Sequence, residues 1–355
     1  MVGTGKRVKE RRIARRGLWI VLAIAIVTIA LILYRWRTTE FRWDLFFATF
    51  LKVNWTWLGA SIGLLLLTYL GRALRWEVML RPLRPKPNLW NILSATVIGF
   101  TAIVLLGRVG EVVRPYLIAA KEELPFSTQM AAWLLERILD IMVVLTIFGF
   151  ALAHIPQGLH LSPALQWVLR VGGWAAAGIG ALCVLMLVIF RSFSDVAQTR
   201  ILSALSFLPE KNYARVERTL KAFIQGVHST KHRGFLSLLL LYTAMEWLII
   251  MGGYYCLFRA FPSTSSFELT DIAIFVGFVA FGSVVQIPGI GGGVQVAAVL
   301  VLTEIFGIPL EAATGLAILI WLITFVVIVP FGLMFAFHEG ITWRKFRQLP
   351  EDVPL

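Results

Sequence analysis

The sequence has 355 residues, of which 58% are apolar and only 15% are charged, and its formal net charge at pH 7 is +13. Long apolar runs between short polar loops are typical of a helical membrane protein, because helices satisfy their own backbone hydrogen bonds in lipid. Uninterrupted runs exclude a membrane β-barrel, whose strands alternate. The basic residues cluster in particular loops, so they indicate membrane topology and not nucleic-acid binding.

Cysteine and histidine usage argues against a metal or cofactor site. The two cysteines lie inside apolar runs, and the five histidines are scattered along the chain without zinc-ligand spacing. The sequence also contains no nucleotide-binding Walker motif. We therefore expect no cofactor, no metal and no disulfide framework.

Residues 1–53 are predicted to form a basic N-terminus, a signal-anchor helix and an outer amphipathic segment. Seven Lys or Arg precede the apolar run 17–34. The run is long and no small-residue cleavage site follows it, which favours an anchor with its amino end in the cytoplasm.

Residues 54–152 are predicted to form a first repeat with the order span, broken hairpin, span. The first span is followed by a hairpin over residues 88–121, which Gly107 and Gly110 interrupt, and then by a helix that begins at about Thr128. Arg72, Arg75 and Trp76 share nearly one helical face near the end of the first span. We expect them to be interfacial anchors that contact anionic inner-leaflet lipids, as do the other basic loops.

The rest of the chain repeats this plan. Residues 153–234 are predicted to hold a connecting span and a basic amphipathic cytoplasmic linker with eight Lys or Arg between 191 and 233. Residues 235–337 form a second repeat, in which PGIGGG at 288–293 breaks the hairpin, and residues 338–355 form a cytoplasmic tail.

Charge counting decides how the two hairpins meet the membrane. With both treated as re-entrant, the inner segments carry 23 Lys or Arg and the outer segments 5. This predicts an all-α polytopic protein of the inner (cytoplasmic) membrane, with about six spanning helices, two re-entrant helical hairpins and both termini in the cytoplasm. The repeats have opposite orientations, an inverted arrangement that is common in secondary transporters.

Charged residues in and after the first hairpin are the main candidate site: Arg108, Glu111, Arg114, Glu136, Arg137 and Asp140. Ionisable groups at membrane depth are costly, so they must pair, face water or meet a charged ligand. At a rise of ~1.5 Å per residue, Glu136 lies ~12 Å and Asp140 ~18 Å into the bilayer, and Glu246 of the second repeat ~17 Å. Glu111 is expected to pair with Arg137, and Arg108 or Arg114 with Glu136 or Asp140. A buried network that only locks hairpin to helix and a site for an anionic head group both fit this pattern.

The glycine-rich break in the second hairpin is a further candidate. Its backbone N–H groups are able to form an anion-binding nest ahead of a helix near Val294, and a tight turn that allows close helix packing is the alternative. Gln286 flanks it and, with Glu246, is a possible coupling or pathway residue. The candidate residues here are Pro288, Gly289, Gly291, Gly292, Gly293 and Gln295.

Four motifs in the order RALRW (72–76), GRVGEVVR (107–114), ERILD (136–140) and IPGIGGGVQVAAV (287–299) resemble the flippase-like transmembrane family of the lysylphosphatidylglycerol synthases. The resemblance implies an integral membrane protein that moves a lipid between leaflets. It also implies that the charged residues above, Pro288 and the glycines line or shape the path.

The sequence departs from the family pattern at four positions. The family commonly has a proline at Leu106, a glycine at Ile290, a glutamate at Gln295 and an arginine at Trp321. The last two departures remove one charge of each sign, so they compensate each other.

The leading hypothesis is therefore a lipid translocase and not an enzyme, with a phospholipid, polyprenyl phosphate, glycolipid or hopanoid-type lipid as its partner. A transferase of aminoacyl or glycosyl groups is one alternative, although only about eighteen residues follow Phe337 and the synthases carry a large soluble domain there. A non-catalytic partner of an envelope-synthesis enzyme is the other.

Overall fold

A computed structural model describes residues 41–155, 163–192, 234–282, 286–287 and 291–340. The predicted signal anchor, most of the basic linker and most of the tail lie outside these residues. The described chain consists of helices and one short β-hairpin. The α-helices are α1 (Trp43–Leu51), α2 (Trp55–Leu80), α3 (Leu89–Leu106), α4 (Val113–Glu122), α5 (Phe126–Ala153), α6 (Pro163–Ser192), α7 (Phe235–Arg259), α8 (Leu269–Gly282), α9 (Gly293–Glu304), α10 (Leu310–Trp321) and α11 (Ile328–His338).

The chain divides into two compact units, Met1–Phe47 and Ala48–Leu355. In the first unit, the rings of Phe41 and Trp43 meet edge to face with their centroids 4.9 Å apart.

Helices α2 and α7 run antiparallel and form the central pair. Asn54 caps α2, since its side-chain oxygen accepts a hydrogen bond from the backbone N–H of Thr56 at 3.1 Å. The backbone N–H of Asn54 donates to the carbonyl of Ala260 at the end of α7. Further along the pair, Gly253 lies against Leu65, and a Cβ at this glycine would be 2.9 Å from the leucine side chain. Each repeat therefore contributes its first long helix to one close contact.

The first hairpin turns back on itself completely. After α3 the chain bends at Gly107 (φ 69°), passes through a 3₁₀ helix (Gly107–Val112) and returns as α4. Gly99 of α3 lets the backbone of Arg114 approach closely. At the open end, Asn91 donates to Glu122 at 2.9 Å, so both arms end at the same level of the protein.

The second hairpin has the same plan. Helix α8 leads into an antiparallel β-hairpin in which β1 (Gln286–Ile287) pairs with β2 (Gly291–Gly292), and α9 returns. The rings of Phe267 before α8 and Phe306 after α9 have centroids 4.6 Å apart, so these two arms also begin and end at one level. The tip of this hairpin, at β1, contacts the 3₁₀ helix at the tip of the first.

The repeats exchange packing partners in a symmetric way. The first arm of the second hairpin, α8, packs on α5, where Gly277 lies against the backbone of Phe148. The first arm of the first hairpin, α3, packs on α11, where Gly332 lies against Thr101. Each hairpin thus packs on the last helix of the other repeat, as expected for two copies related by a pseudo-twofold axis.

Four helices within the described residues are long and apolar enough to cross a membrane: Trp55–Leu80, Leu89–Leu106, Phe235–Arg259 and Leu310–His338. The last combines α10, a π-helical turn (Leu322–Val326) and α11. Helix α5 has 28 residues and carries three charges along its middle. The chain is a multi-pass membrane protein.

Candidate functional site

Arg75 of α2 lies at the centre of a buried cluster of charges. Only 1% of its side chain is exposed. Its guanidinium donates to Glu136 at 2.5 Å and to both carboxylate oxygens of Asp140 at 2.7 and 3.3 Å. A further hydrogen bond of 3.0 Å reaches the hydroxyl of Thr243 on α7. This one side chain therefore connects α2, α5 and α7.

Glu136 accepts hydrogen bonds from two further side chains, one of them charged and one neutral. Arg114 of the first hairpin donates to both of its oxygens, one of them at 3.2 Å. The indole N–H of Trp76 donates to the same carboxylate at 2.8 Å. Arg137, one residue further along α5, pairs with Asp140 at 3.1 Å and keeps 33% of its side chain exposed. Arg114 pairs with Glu136, which is one of the pairings that the sequence left open.

Glu246 brings the second repeat into the cluster. Its two oxygens lie 2.7 Å from Arg72 and 3.5 Å from Arg75, and 1% of its side chain is exposed. Across the part of the chain that the structure describes, four guanidiniums and three carboxylates are joined by these direct ion pairs: Arg72, Arg75, Arg114 and Arg137 with Glu136, Asp140 and Glu246.

The prediction of interfacial anchors at the end of the first span was wrong for Arg75 and Trp76, both of which are fully buried. Helix α2 continues to Leu80 and packs its last turns against neighbouring helices, so these residues lie inside the protein. Arg72, Arg75, Trp76 and Thr243 were absent from the candidate site. The sequence signal for Arg72, Arg75 and Trp76 is their spacing, which places all three on one face of a helix, together with the carboxylates in other apolar helices.

The cluster lies well inside the protein. Arg75 is five residues before the end of α2, Thr243 eight residues after the start of α7, and Glu136 ten residues after the start of α5. At ~1.5 Å per residue these positions are ~8, ~12 and ~15 Å from the helix ends. Those ends lie at one face of the molecule, where Arg84 and Glu122 pair at 3.1 Å.

Aromatic rings cover the arginines on the side of the first hairpin. The guanidinium carbon of Arg114 is 4.7 Å from the ring centroid of Trp76 and 5.3 Å from that of Phe100. The guanidinium carbon of Arg72 is 4.7 Å from the ring centroid of the same Phe100. Cation–π contacts of this kind stabilise a desolvated arginine while leaving its N–H groups for an anion.

The tip of the first hairpin carries two further predicted residues. Glu111 lies on the 3₁₀ helix, close enough to Arg137 to attract its charge. The backbone of Arg108 is on the same 3₁₀ helix, and its side chain lies outside what the structure describes.

Among the described residues of the second hairpin, the predicted ones lie at its tip and not among the ion pairs. Gln295 accepts a hydrogen bond of 2.7 Å from the backbone N–H of Gly292, which has φ 107°. The backbone of Gln286 pairs with that of Gly292 in the β-hairpin. Gly291 and Gly293 belong to β2 and α9. Pro288 and Gly289 lie outside the described residues.

A π-helical turn lies beside the cluster, directly after Trp321. The carbonyl of Thr324 accepts from the hydroxyl of Tyr69 at 3.4 Å, and its own hydroxyl is 3.3 Å from that of Tyr254. Turns of this type are common at functional sites. This one joins α2 and α7 to the last long helix of the second repeat.

Comparison with known proteins identifies the family. The family model for the lysylphosphatidylglycerol synthase TM region matches residues 18–332. The chain belongs to this family, as the four sequence motifs indicated. No curated protein and no solved structure matches the chain.

Proposed function

We propose that the chain is a lipid translocase of the inner membrane, with both termini in the cytoplasm, which moves an anionic or polar-headed lipid between leaflets. The observation that carries this proposal is the buried arginine-rich cluster beside two hairpin tips that touch. Each hairpin is proposed to be re-entrant, because its two arms begin and end at one level.

The composition of the cluster favours ligand binding over a purely structural role. Charges at membrane depth are costly, and a well-packed apolar contact joins helices at least as stably as buried ion pairs. Seven such groups in one place are therefore more than helix packing requires. Guanidinium groups match phosphate and carboxylate in geometry, and two of them, Arg72 and Arg137, are partly exposed.

The arrangement also supports a route across the membrane. The two hairpin tips contact each other, and the antiparallel pairing of α2 with α7 supports two repeats of opposite orientation. Rocking of one repeat against the other would open the charged seam alternately to each face, with the lipid tails remaining in the bilayer. An ion gradient or the lipid gradient itself would supply the energy, without covalent chemistry by the chain.

A transport assay tests the proposal. The purified protein is reconstituted into vesicles with fluorescent phosphatidylglycerol, and leaflet exchange is followed by quenching the outer label. Wild type is expected to exchange the label faster than empty vesicles. Arg137→Gln is expected to slow exchange by about 10- to 100-fold, since a hydrogen bond to a charged group contributes about 1.5–3 kcal/mol.

Arg81→Gln is the matched control, because Arg81 is exposed and, among the described residues, pairs locally with Glu77 in an i,i+4 pair. It is expected to exchange lipid at the wild-type rate. Equal exchange by wild type and empty vesicles would contradict the proposed function, and equal exchange by wild type and Arg137→Gln would contradict the site.

A further inference from the structure

We infer that Glu246 is the resident counter-ion of an anion site formed by Arg72 and Arg75, which a phosphate head group occupies when Glu246 takes up a proton. The inference rests on the proposed function and narrows it in two respects. It makes the substrate a lipid with a singly charged phosphate, and it makes the proton the coupled ion.

The geometry of the three side chains is that of a filled anion site. Arg72 and Arg75 are one helical turn apart on α2, and the carboxylate of Glu246 reaches in from α7 to lie between them, at 2.7 and 3.5 Å. A phosphodiester carries the same single charge on two oxygens. Two guanidiniums around one anion form the arrangement that suits phosphate best.

Glu246 is the most weakly held of the three carboxylates. Glu136 accepts hydrogen bonds from two arginines and an indole, and Asp140 accepts two from Arg75. The two oxygens of Glu246 lie close to positive charge, but neither accepts a hydrogen bond from the described residues. Loss of aligned, charge-assisted hydrogen bonds is the main cost of displacing a buried carboxylate. That cost is smallest at Glu246.

Access also favours this position. Arg72 keeps 15% of its side chain exposed, whereas Arg75 keeps 1%. Among the ion pairs of the described residues, Arg72 pairs with Glu246 alone. An incoming head group therefore meets Arg72 first, and Glu246 is the group that it has to replace.

Competition for Arg72 favours a proton in the exchange, because among the ion pairs of the described residues the guanidinium of Arg72 pairs with the carboxylate of Glu246. Glu136 and Asp140 on α5 also face Glu246, so a phosphate placed beside an ionised Glu246 would add to three negative charges in one buried region. A proton from water that bonds to a carboxylate oxygen of Glu246 makes it neutral. The guanidinium groups of Arg72 and Arg75 are then able to pair with the phosphate. The net charge of the site is unchanged, so one lipid anion moves with one proton.

Binding measurements with a soluble lipid test this exchange. Dioctanoyl phosphatidylglycerol is titrated into the detergent-solubilised full chain by calorimetry, in buffers of different ionisation enthalpy, which gives the number of protons taken up per lipid. Wild type is expected to take up about one, and its Kd to rise about tenfold per pH unit once Glu246 is ionised. Glu246→Gln is expected to take up none and to bind with a Kd that does not change with pH.

Two further variants separate this effect from general damage. Glu77→Gln removes a carboxylate from α2, the helix of Arg72 and Arg75, outside the cluster, and it is expected to keep the wild-type proton uptake. Arg72→Lys keeps the charge but loses the planar fork, so it is expected to weaken binding about tenfold or more with proton uptake retained. If Glu246→Gln does not fold, wild type and Arg72→Lys still test the inference.

Lipid binding by wild type without proton uptake would overturn the inference, as would normal uptake by Glu246→Gln. These outcomes are distinct from failure of the proposed function. A protein that translocates lipid at the same rate at all pH values refutes proton exchange alone, whereas one that binds lipid with proton uptake and does not translocate it refutes translocation alone.

Discussion

Arg75 of α2 and Thr243 of α7 are 168 residues apart in the chain and are joined by a hydrogen bond of 3.0 Å. The threonine hydroxyl donates its own hydrogen to the carbonyl of Leu239 at 2.8 Å, which leaves its lone pairs directed at the arginine. The guanidinium is thereby oriented by the second repeat while it neutralises carboxylates of the first. The two halves of the protein are thus linked through one buried cation.

Replacement of Arg75 is expected to lower the free energy of unfolding more than replacement of any exposed arginine. Arg75→Met leaves Asp140 with Arg137 alone and removes a donor from Glu136, and breaking a buried ion pair costs about 3–5 kcal/mol. Denaturant unfolding in detergent measures the loss. Arg81→Met is the control, expected within about 0.5 kcal/mol of wild type. A loss below about 1 kcal/mol for Arg75→Met would show that the cluster does not stabilise the fold.

Cysteine labelling is expected to place both arms of each hairpin on one side of the membrane. The native cysteines are buried, so single-cysteine variants are made after replacing both. A maleimide reagent that does not cross membranes should label Lys86→Cys and Ala120→Cys from one face, because these exposed positions precede α3 and end α4.

The second hairpin is expected to give the opposite result. Ser266→Cys and Leu310→Cys are exposed positions before α8 and after α9, and both should be labelled only from the other face. Labelling of the two positions of one hairpin from different faces would mean that the hairpin crosses the membrane and is not re-entrant.

The helices and their breaks were predictable because their signals are local. Apolar runs, Gly107 and the glycines before Val294 lie next to the structure that they determine, and helices end or begin at these breaks. The position of Arg75 was not predictable in this way. Its partners are 61, 65 and 168 residues away, and a charge that is neutralised by such distant partners has the same local sequence as one that faces lipid head groups.

The carboxylates of the site could be predicted from the sequence, but the threonine that contacts them through Arg75 could not. Glu136 and Asp140 were identified because carboxylates inside an apolar helix are conspicuous, and Glu246 was identified by its depth. Thr243 gave no signal, since a threonine in a membrane helix satisfies its hydroxyl on the preceding turn. The lengths of the helices beyond their apolar runs, as in α2, decide which charges are buried, and hydropathy does not reveal these lengths.

Close packing at Gly332 is expected to be essential for the contact between α11 and α3. A Cβ at this position would overlap the side chain of Thr101 and come within 2.9 Å of the carbonyl of Val97. Gly332→Ala should therefore lower the free energy of unfolding by about 1–3 kcal/mol, the usual cost of overpacking. Thermal unfolding in detergent measures it.

Gly63 provides the matched comparison, since a Cβ there would meet nothing within 4 Å. Gly63→Ala lies within α2 and is expected to leave stability unchanged or to raise it by up to about 1 kcal/mol, because alanine favours helix. Similar losses in both variants would mean that the helices adjust to the added methyl group, and that small residues do not set their separation.

Gln295 is expected to hold the tip of the second hairpin in place. Its side-chain oxygen accepts the backbone N–H of Gly292 at 2.7 Å, which satisfies one of the free donors at the start of α9. Gln295→Leu removes this cap and should lower stability by about 0.5–2 kcal/mol. Hydrogen exchange at the Gly292 amide should become faster, because that N–H loses its acceptor.

The neighbouring residue Val296 is the control, since it is on the same helical turn and 68% exposed. Val296→Leu is expected to change stability by less than about 0.5 kcal/mol and to leave exchange at Gly292 as in wild type. If Gln295→Leu also left exchange at Gly292 unchanged, the glycine turn would be held by its strand pairing with Gln286 and not by the side-chain cap. The two variants together therefore distinguish a tip fixed by one side chain from a tip fixed by its backbone.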